Sequence, residues 1–216
     1  MNDYKKNILT IDLDFLVRDI RSLNSCIPFE MVEEYEDLKD LEKLWKCTKE
    51  LHKLRFKKEI DEKAICKGTL EFVLKIIENN PEAVHFFERD HDEVLNYLQD
   101  DCDNTIVNID FHHDLGYDFS EDQKQPMINN WTLWGWDDGL IKSYSWIGRS
   151  TSAHPVTATI PYEYLEWRDI DVEKLPEFDE IHIIRSPEFC PKDVYNIFVN
   201  CYNNLKVVCK LSLELE

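Results

Sequence analysis

The chain has 216 residues, a length that fits one domain with a sizeable core, and 43% of them are hydrophobic, which excludes a disordered chain. Its 44 acidic and 25 basic residues give a formal net charge of −19. This charge argues against nucleic acid and against an anionic membrane as partners.

The first residues precede only a short apolar run, which is broken by Asp12 and Asp14, so we expect neither a signal peptide nor a membrane span. The seven cysteines are scattered and include no Cys-x-x-Cys pair. This pattern is typical of reduced thiols in a cytoplasmic protein. We therefore expect a single cytoplasmic domain that covers residues 1–216.

The first predicted strand runs from Ile8 to Leu16. It places Thr10, Asp12 and Asp14 on one face and apolar side chains on the other. Two unpaired carboxylates in a buried strand would cost several kcal/mol, and a bound cation would remove that cost. The alternative is an edge strand with one wet face.

The next segments have helical periodicity. Apolar residues between Phe29 and about Lys58 predict one long helix or two with a short break, with His52 on its surface. A second helical stretch is predicted from Asp61, with an interruption at Gly68, and Asn79-Asn80-Pro81 ends it.

Two more strands follow in β-α-β order, which predicts a parallel sheet. The first, Ala83 to Glu88, leads into Arg89-Asp90-His91-Asp92, so His91 lies at the carboxyl end of a strand. A helical segment through Leu98 follows it. The second strand, Thr105 to Ile109, is apolar and β-branched, as expected for a buried strand.

The segment Asp110-x-His112-x-Asp114 follows that strand directly. In an extended chain its three side chains would point the same way, at the end of the sheet where ligands bind in open α/β folds. Two carboxylates and an imidazole suit Mn, Fe or Zn. The alternative is that Asp110 caps a helix and the histidines pack or face solvent.

Four of the six tryptophans lie between Trp131 and Trp146. We expect Trp131 and Trp134 to line a small-molecule pocket, although they would equally serve to cover the core. His154, in a later loop, is either a proton carrier or a surface residue.

The rest of the chain is predicted to contain four strands and one helix. The strands lie at Tyr144 to Ile147, Val156 to Ile160, Glu180 to Arg185 and Leu205 to Leu213, and the helix runs from Lys192 to about Asn204, before the last strand. This order predicts an α/β fold with three αβα layers around a mostly parallel sheet.

Three strand ends thus offer four carboxylates and two imidazoles, from Asp12, Asp14, His91, Asp110, His112 and Asp114. Such a set can hold two divalent ions about 3.5–4 Å apart, bridged by a carboxylate and a hydroxide.

These motifs resemble the arginase–deacetylase superfamily, and the ureohydrolases in particular. Asp110-x-His112-x-Asp114 is similar to their Asp-x-His-x-Asp strand end, and Thr10-Ile11-Asp12-Leu13-Asp14 to their Ser-x-Asp-x-Asp strand end. The order is permuted, because the Asp-x-Asp strand comes first. An uncharacterised arginase-like family with this order also carries a late segment similar to Arg185-Ser186-Pro187-Glu188-Phe189.

The resemblance implies an arginase-like, metal-dependent hydrolase that cleaves an amide or amidine C–N bond of a small molecule with a metal-bound hydroxide. It implies two manganese ions, with Fe or Zn as alternatives. His113 or His154 would pass a proton to the leaving nitrogen, and Arg185 and Glu188 would bind a charged substrate group. Arg185 and Glu188 would otherwise form a salt bridge and a helix cap. The alternative function is a non-catalytic protein that binds a metabolite or partner and holds a structural metal.

Overall fold

The computed structural model describes residues 4–28, 38–100, 102–116, 130–152 and 160–213. Within these residues six strands form one sheet in the order β2-β6-β1-β3-β4-β5, and every neighbouring pair is parallel. The strands are β1 Lys5–Asp12, β2 Val84–Glu88, β3 Asp103–Ile109, β4 Ile141–Gly148, β5 Glu163–Glu166 and β6 Glu180–Ile184. The predicted α/β class with a parallel sheet is confirmed.

Helices cover both faces of this sheet. The α-helices are α1 Ile20–Asn24, α2 Leu38–Phe56, α3 Lys67–Glu78, α4 Trp131–Asp137 and α5 Lys192–Leu213. Short 3-10 helices are found at Leu13–Leu16, His91–Tyr97, Trp167–Asp169 and Val172–Lys174. Among these helices none is long and apolar enough to cross a membrane.

Two separate apolar clusters show the layers. On one face, Leu9 and Ile183 of the sheet pack with Val73 of α3 and Phe198 of α5. On the other face, Ile8, Ile106 and Ile184 pack with Val94 and with Trp131 of α4. Because a strand points successive side chains to opposite faces, these clusters are what a sheet between two helical layers requires. The arrangement is consistent with the predicted three layers.

The centre of the sheet sets the position of the candidate site. Strand β1 lies between β6 and β3, and its burial is nearly complete from Leu9 to Asp12. Asp12 is paired with Ile184 of β6, and Ile11 with Ile109 of β3. The residues that follow β1, β3 and β6 therefore meet at one carboxyl edge, where parallel α/β sheets bind ligands.

Three local predictions were wrong. The first strand ends at Asp12 and the chain continues as a 3-10 helix, in which the Asp12 side chain accepts a hydrogen bond from the Asp14 backbone. The segment 57–66 is not helical, and α3 begins only at Lys67 and includes Gly68. His52 is buried, with its side chain 3.0 Å from the Lys58 carbonyl, because the chain folds back after α2.

The predicted final strand from Leu205 to Leu213 was also wrong, because α5 continues through it. Its alternating, β-branched pattern favours a strand only weakly, and the helix that precedes it determines the outcome. Strand β5 was missed. Two further predictions concern residues that the structure does not describe, 29–37 and 153–159. The first of these ranges contains the predicted start of the long helix, and the second contains nearly all of the strand predicted at 156–160.

A buried charge network spans β1, β2 and β6 below the carboxyl edge. His182, with no exposed surface, lies 3.0 Å from Glu88 and 3.3 Å from Glu180, each measured from ring nitrogen to carboxylate oxygen. The Lys6 ammonium is 2.8 Å from the other oxygen of Glu180. Burial alone would lower the pKa of His182, but Glu180 and Glu88 outweigh burial and raise that pKa above its ordinary value.

This raised pKa predicts a pH-dependent free energy of unfolding. The interaction stabilises the fold fully below the unfolded histidine pKa of about 6.5 and is lost as pH rises through the higher folded pKa. Denaturant unfolding of the protein between pH 6 and 9 should show this loss, and His182→Gln should lack that component. His85→Gln, on the neighbouring strand, serves as the control. Parallel pH profiles of the wild type and His182→Gln would contradict the prediction.

Candidate metal centre

The first acids of the site come from the end of β1. One oxygen of Asp12 accepts a hydrogen bond from the Asp14 backbone at 3.0 Å, and the other accepts one from the Ser186 hydroxyl. The 3-10 helix that follows turns Asp14 back toward β3, where it accepts a bond from the Phe111 backbone at 3.4 Å. Both carboxylates are buried, at 4% and 0% exposure.

The loop after β3 supplies Asp110, His112 and Asp114. Asp110 accepts a hydrogen bond from the His112 backbone at 2.8 Å, and Asp114 has a positive φ of 52°. Aspartate tolerates this left-handed conformation better than most residues. The expected extended chain is therefore wrong here. The side chains converge because the loop folds tightly.

His91 forms one group with three of the acids. Its Nδ1 lies 3.5 Å from Asp12, 3.4 Å from Asp110 and 3.0 Å from Asp114. The imidazole stacks on the Trp131 indole, with the ring centres 5.1 Å apart.

His112 forms a second group. Its Nδ1 lies 2.8 Å from Asp14 and 3.7 Å from Asp110, and its Nε2 lies 2.8 Å from the Asn24 side-chain amide. Asp110 belongs to both groups, with one carboxylate oxygen toward His91 and the other toward His112. Two sets of three residues can therefore each hold a metal ion: Asp12, His91 and Asp110, and Asp14, Asp110 and His112.

The electrostatics of the cluster favour a cation. Burial, followed by the neighbouring charges of Asp14 and Asp114 respectively, raises the pKa of Asp12 and of Asp110 far above the ordinary range. Burial opposes ionisation of Asp114 as well, but His91 and the Trp131 hydrogen bond lower its pKa. Four buried carboxylates thus face two imidazoles. A divalent ion would offset this excess of negative charge, and oxygen with imidazole ligands suits Mn, Fe or Zn.

Tryptophans hold the loop through hydrogen bonds. The Trp131 indole donates to Asp114 at 2.8 Å, and the Trp146 indole donates to the Asp110 carbonyl at 3.1 Å. Both side chains are fully buried, so the two indoles position the acids instead of lining an open pocket. The sequence offered one indication of this role, because the N–H group of a buried indole needs a hydrogen-bond acceptor. Trp134 is half-buried one turn further along α4.

The proposed proton carriers differ in their placement. His113 is buried at 1% exposure in the same loop. Its Nδ1 accepts a hydrogen bond from the Leu115 backbone at 3.0 Å, and its ring meets Trp146 edge-on. These contacts pack the loop, and no described contact tests a role in proton transfer. His154 lies outside the described residues.

The proposed substrate-binding pair follows β6. The Arg185 guanidinium lies 5.1 Å from the centre of the Tyr195 ring. Glu188 is buried at 4% exposure, and its charge acts on the loop that carries His91, since burial and then Glu188 raise the pKa of Asp90 to about 7. Sequence reasoning missed Ser186 and Asn24, whose polar side chains contact Asp12 and His112.

Trp131→Phe tests whether the indole positions Asp114. The variant keeps the aromatic stack on His91 but removes the donor, so we expect metal affinity to fall by about 10- to 100-fold, as for other groups that orient a ligand. Titration with Mn²⁺ followed by calorimetry measures this change. Trp45→Phe, which removes an indole bond to the Pro187 carbonyl, is the matched control. Equal affinity in the two variants would contradict the role.

Asp110→Asn tests the shared carboxylate. Without metal the variant should be as stable as the wild type or more so, because an asparagine side chain cannot acquire the charge that burial and the neighbouring acids disfavour at this position. Mn²⁺ at 100 times its dissociation constant should stabilise the wild type by about 2.7 kcal/mol and the variant far less. Thermal unfolding with Mn²⁺ and with a chelator gives both values.

The control is Asp103→Asn. Asp103 is exposed at the amino end of β3, the strand that precedes Asp110, so this variant should respond to metal as the wild type does. An equal metal response in Asp110→Asn and Asp103→Asn would show that Asp110 holds no ion.

Comparison with known proteins found no match: the chain matches no family model, no curated protein and no solved structure. The resemblance to the arginase–deacetylase superfamily therefore remains a prediction.

Proposed function

We propose that this chain is an arginase-like, metal-dependent hydrolase that cleaves an amide or amidine C–N bond in a small molecule. The observation that carries the proposal is that Asp110 is shared by two buried carboxylate–histidine groups. A carboxylate with one oxygen toward each group is the arrangement that brings two divalent ions together.

The donor set fits a metal in each group. Asp12, His91 and Asp110 would hold one ion, with Asp114 3.0 Å from the same nitrogen of His91, and Asp14, Asp110 and His112 would hold the other. When bound, a pair of divalent ions makes a shared water acidic enough to be a nucleophile at neutral pH and polarises the carbon under attack.

Asn24 supports the fit of a metal on Nδ1 of His112. A metal on Nδ1 leaves the proton on Nε2, which must then donate to an oxygen. The amide oxygen of Asn24 is buried without a hydrogen bond among the described residues, while its amide nitrogen lies 2.8 Å from Nε2. Rotation of this amide by 180° would place the Asn24 amide oxygen where it can accept the hydrogen bond from the Nε2–H of His112.

The residues around the acids have separate roles in the proposal. Glu188 and Arg185 would bind a charged group of the substrate. His113 accepts a backbone hydrogen bond at Nδ1, so a neutral ring carries its proton on Nε2. In the proposal that proton goes to the leaving nitrogen, as a general acid requires.

One observation favours a second candidate, a structural metal in a protein that binds a metabolite or partner. Five of the six proposed ligands are at most 4% exposed, and only the His112 side chain reaches 21%. A substrate would have to enter beside His112, whereas a structural ion needs no entrance.

Turnover measurements separate the two candidates. The metal-loaded protein is screened against amidines, acylated amines and ureides, and the release of the amine or ammonia is measured. We expect turnover of at least one class, and Asp110→Ala and His112→Ala should reduce it to background while circular dichroism shows a folded chain.

The control is Asp103→Ala, which should leave turnover unchanged. Lost folding in Asp110→Ala and His112→Ala, with no turnover of any class by the wild type, would favour the structural metal and contradict the proposal.

A further inference from the structure

A cleft of about 500 Å³ lies along α1 and is lined by arginines. The chain has seven arginines and a net charge of −19. Four of the seven line this one cleft: Arg18, Arg21, Arg55 and Arg149. Such a concentration of positive charge in an acidic protein is opposed by mutual repulsion unless an anion offsets it.

Two of the guanidinium groups are fixed by backbone carbonyls. Arg149, which is half-buried, donates to the Val17 carbonyl at 2.7 Å and to the Phe15 carbonyl at 3.3 Å. Arg55 donates to the Ser25 carbonyl at 2.8 Å. Arg149 also donates from Nη2 to the Arg18 carbonyl at 3.3 Å. Carbonyls orient a guanidinium without neutralising it. Because each guanidinium has five N–H donors, Arg149 with three such bonds and Arg55 with one both retain donors for a ligand.

The other two guanidinium groups are exposed. Arg18 makes one long hydrogen bond, 3.4 Å, to the Ile65 carbonyl. Within the described part of the chain, no hydrogen bond or ion pair involves the Arg21 side chain. One carboxylate, Asp19, also lines the cleft, and it lies 3.6 Å from the Lys58 ammonium. The positive charge of the cleft therefore exceeds its negative charge.

We propose that this cleft binds a small dianion, a phosphate group or a dicarboxylate. The planar fork of a guanidinium matches both, because each offers paired oxygens at the right spacing for two parallel hydrogen bonds. Ser22, Ser25 and Thr151 add small polar groups to the lining. The inference does not depend on the proposed hydrolase activity.

The cleft adjoins the metal centre through α1. Arg21 and Asn24 are three residues apart on this helix, so they are neighbours on its surface. Asn24 contacts His112. A dianion in the cleft would therefore lie beside the helix that orients one proposed metal ligand.

Calorimetric titration of the full chain with inorganic phosphate, and separately with malonate, tests the proposal. Each titration is repeated after treatment with a chelator, so that binding to a metal ion is distinguished from binding in the cleft. We expect binding of at least one dianion that survives the chelator. Arg21→Gln should weaken it by about tenfold or more, as expected for the loss of a charge-assisted hydrogen bond.

Two variants serve as controls. Lys142→Gln removes the same charge from an exposed position on β4 and should leave affinity within about twofold, since distant exposed charges are screened. Arg21→Lys keeps the charge but not the fork and should give intermediate affinity. Absence of binding by both dianions, or equal binding by Arg21→Gln and Lys142→Gln, would overturn the proposal. Binding of one dianion alone would identify the ligand class.

Discussion

The burial of four carboxylates, with Asp110 among them, is the constraint on which the rest of the site depends. Removing charged groups from water is costly, and the neighbours of each acid here are largely other acids. The fold keeps these groups in place with donors aimed at them: backbone N–H groups from the two loops, the Ser186 hydroxyl and the Trp131 indole. Donors of this kind fix carboxylate positions without neutralising them, and the acids and histidines so placed could hold a metal ion.

The parallel sheet explains how residues far apart in sequence reach one point. Strands β1 and β3 are neighbours, so Asp12 and Asp110 emerge side by side at the carboxyl edge. Strand β6 lies on the other side of β1 and delivers Ser186 to Asp12. His91 comes from the far side of β6, after β2, and extends over this edge. Each strand contributes one part, and no single segment contains the site.

The sequence predicts the cores of the strands well, since β-branched apolar runs such as 105–109 and 181–184 leave few alternatives. It also identifies the acids and histidines that meet. It does not predict the turn at Asp14, the left-handed Asp114 or the donor role of Trp131, because each is determined by a partner elsewhere in the chain. The sequence around Ser186 likewise does not indicate its contact with the site, because its partner Asp12 lies 174 residues away in sequence. Local patterns indicate which elements form, and the tertiary contacts decide what each polar atom faces.

Helix α1 separates two regions of opposite charge, and this has a mechanical consequence. The helix has five residues and is therefore too short to be stable alone, so its position depends on its contacts. On the acidic side, Asn24 of the helix contacts His112. On the basic side, Arg21 of the helix lines the arginine cleft, and Arg55 donates a hydrogen bond to the carbonyl of Ser25, directly after the helix. An anion that ties Arg21 to Arg55 would restrict the helix, and with it the orientation of the His112 ring. Because such coupling is reciprocal, a metal that fixes His112 would also favour anion binding in the cleft.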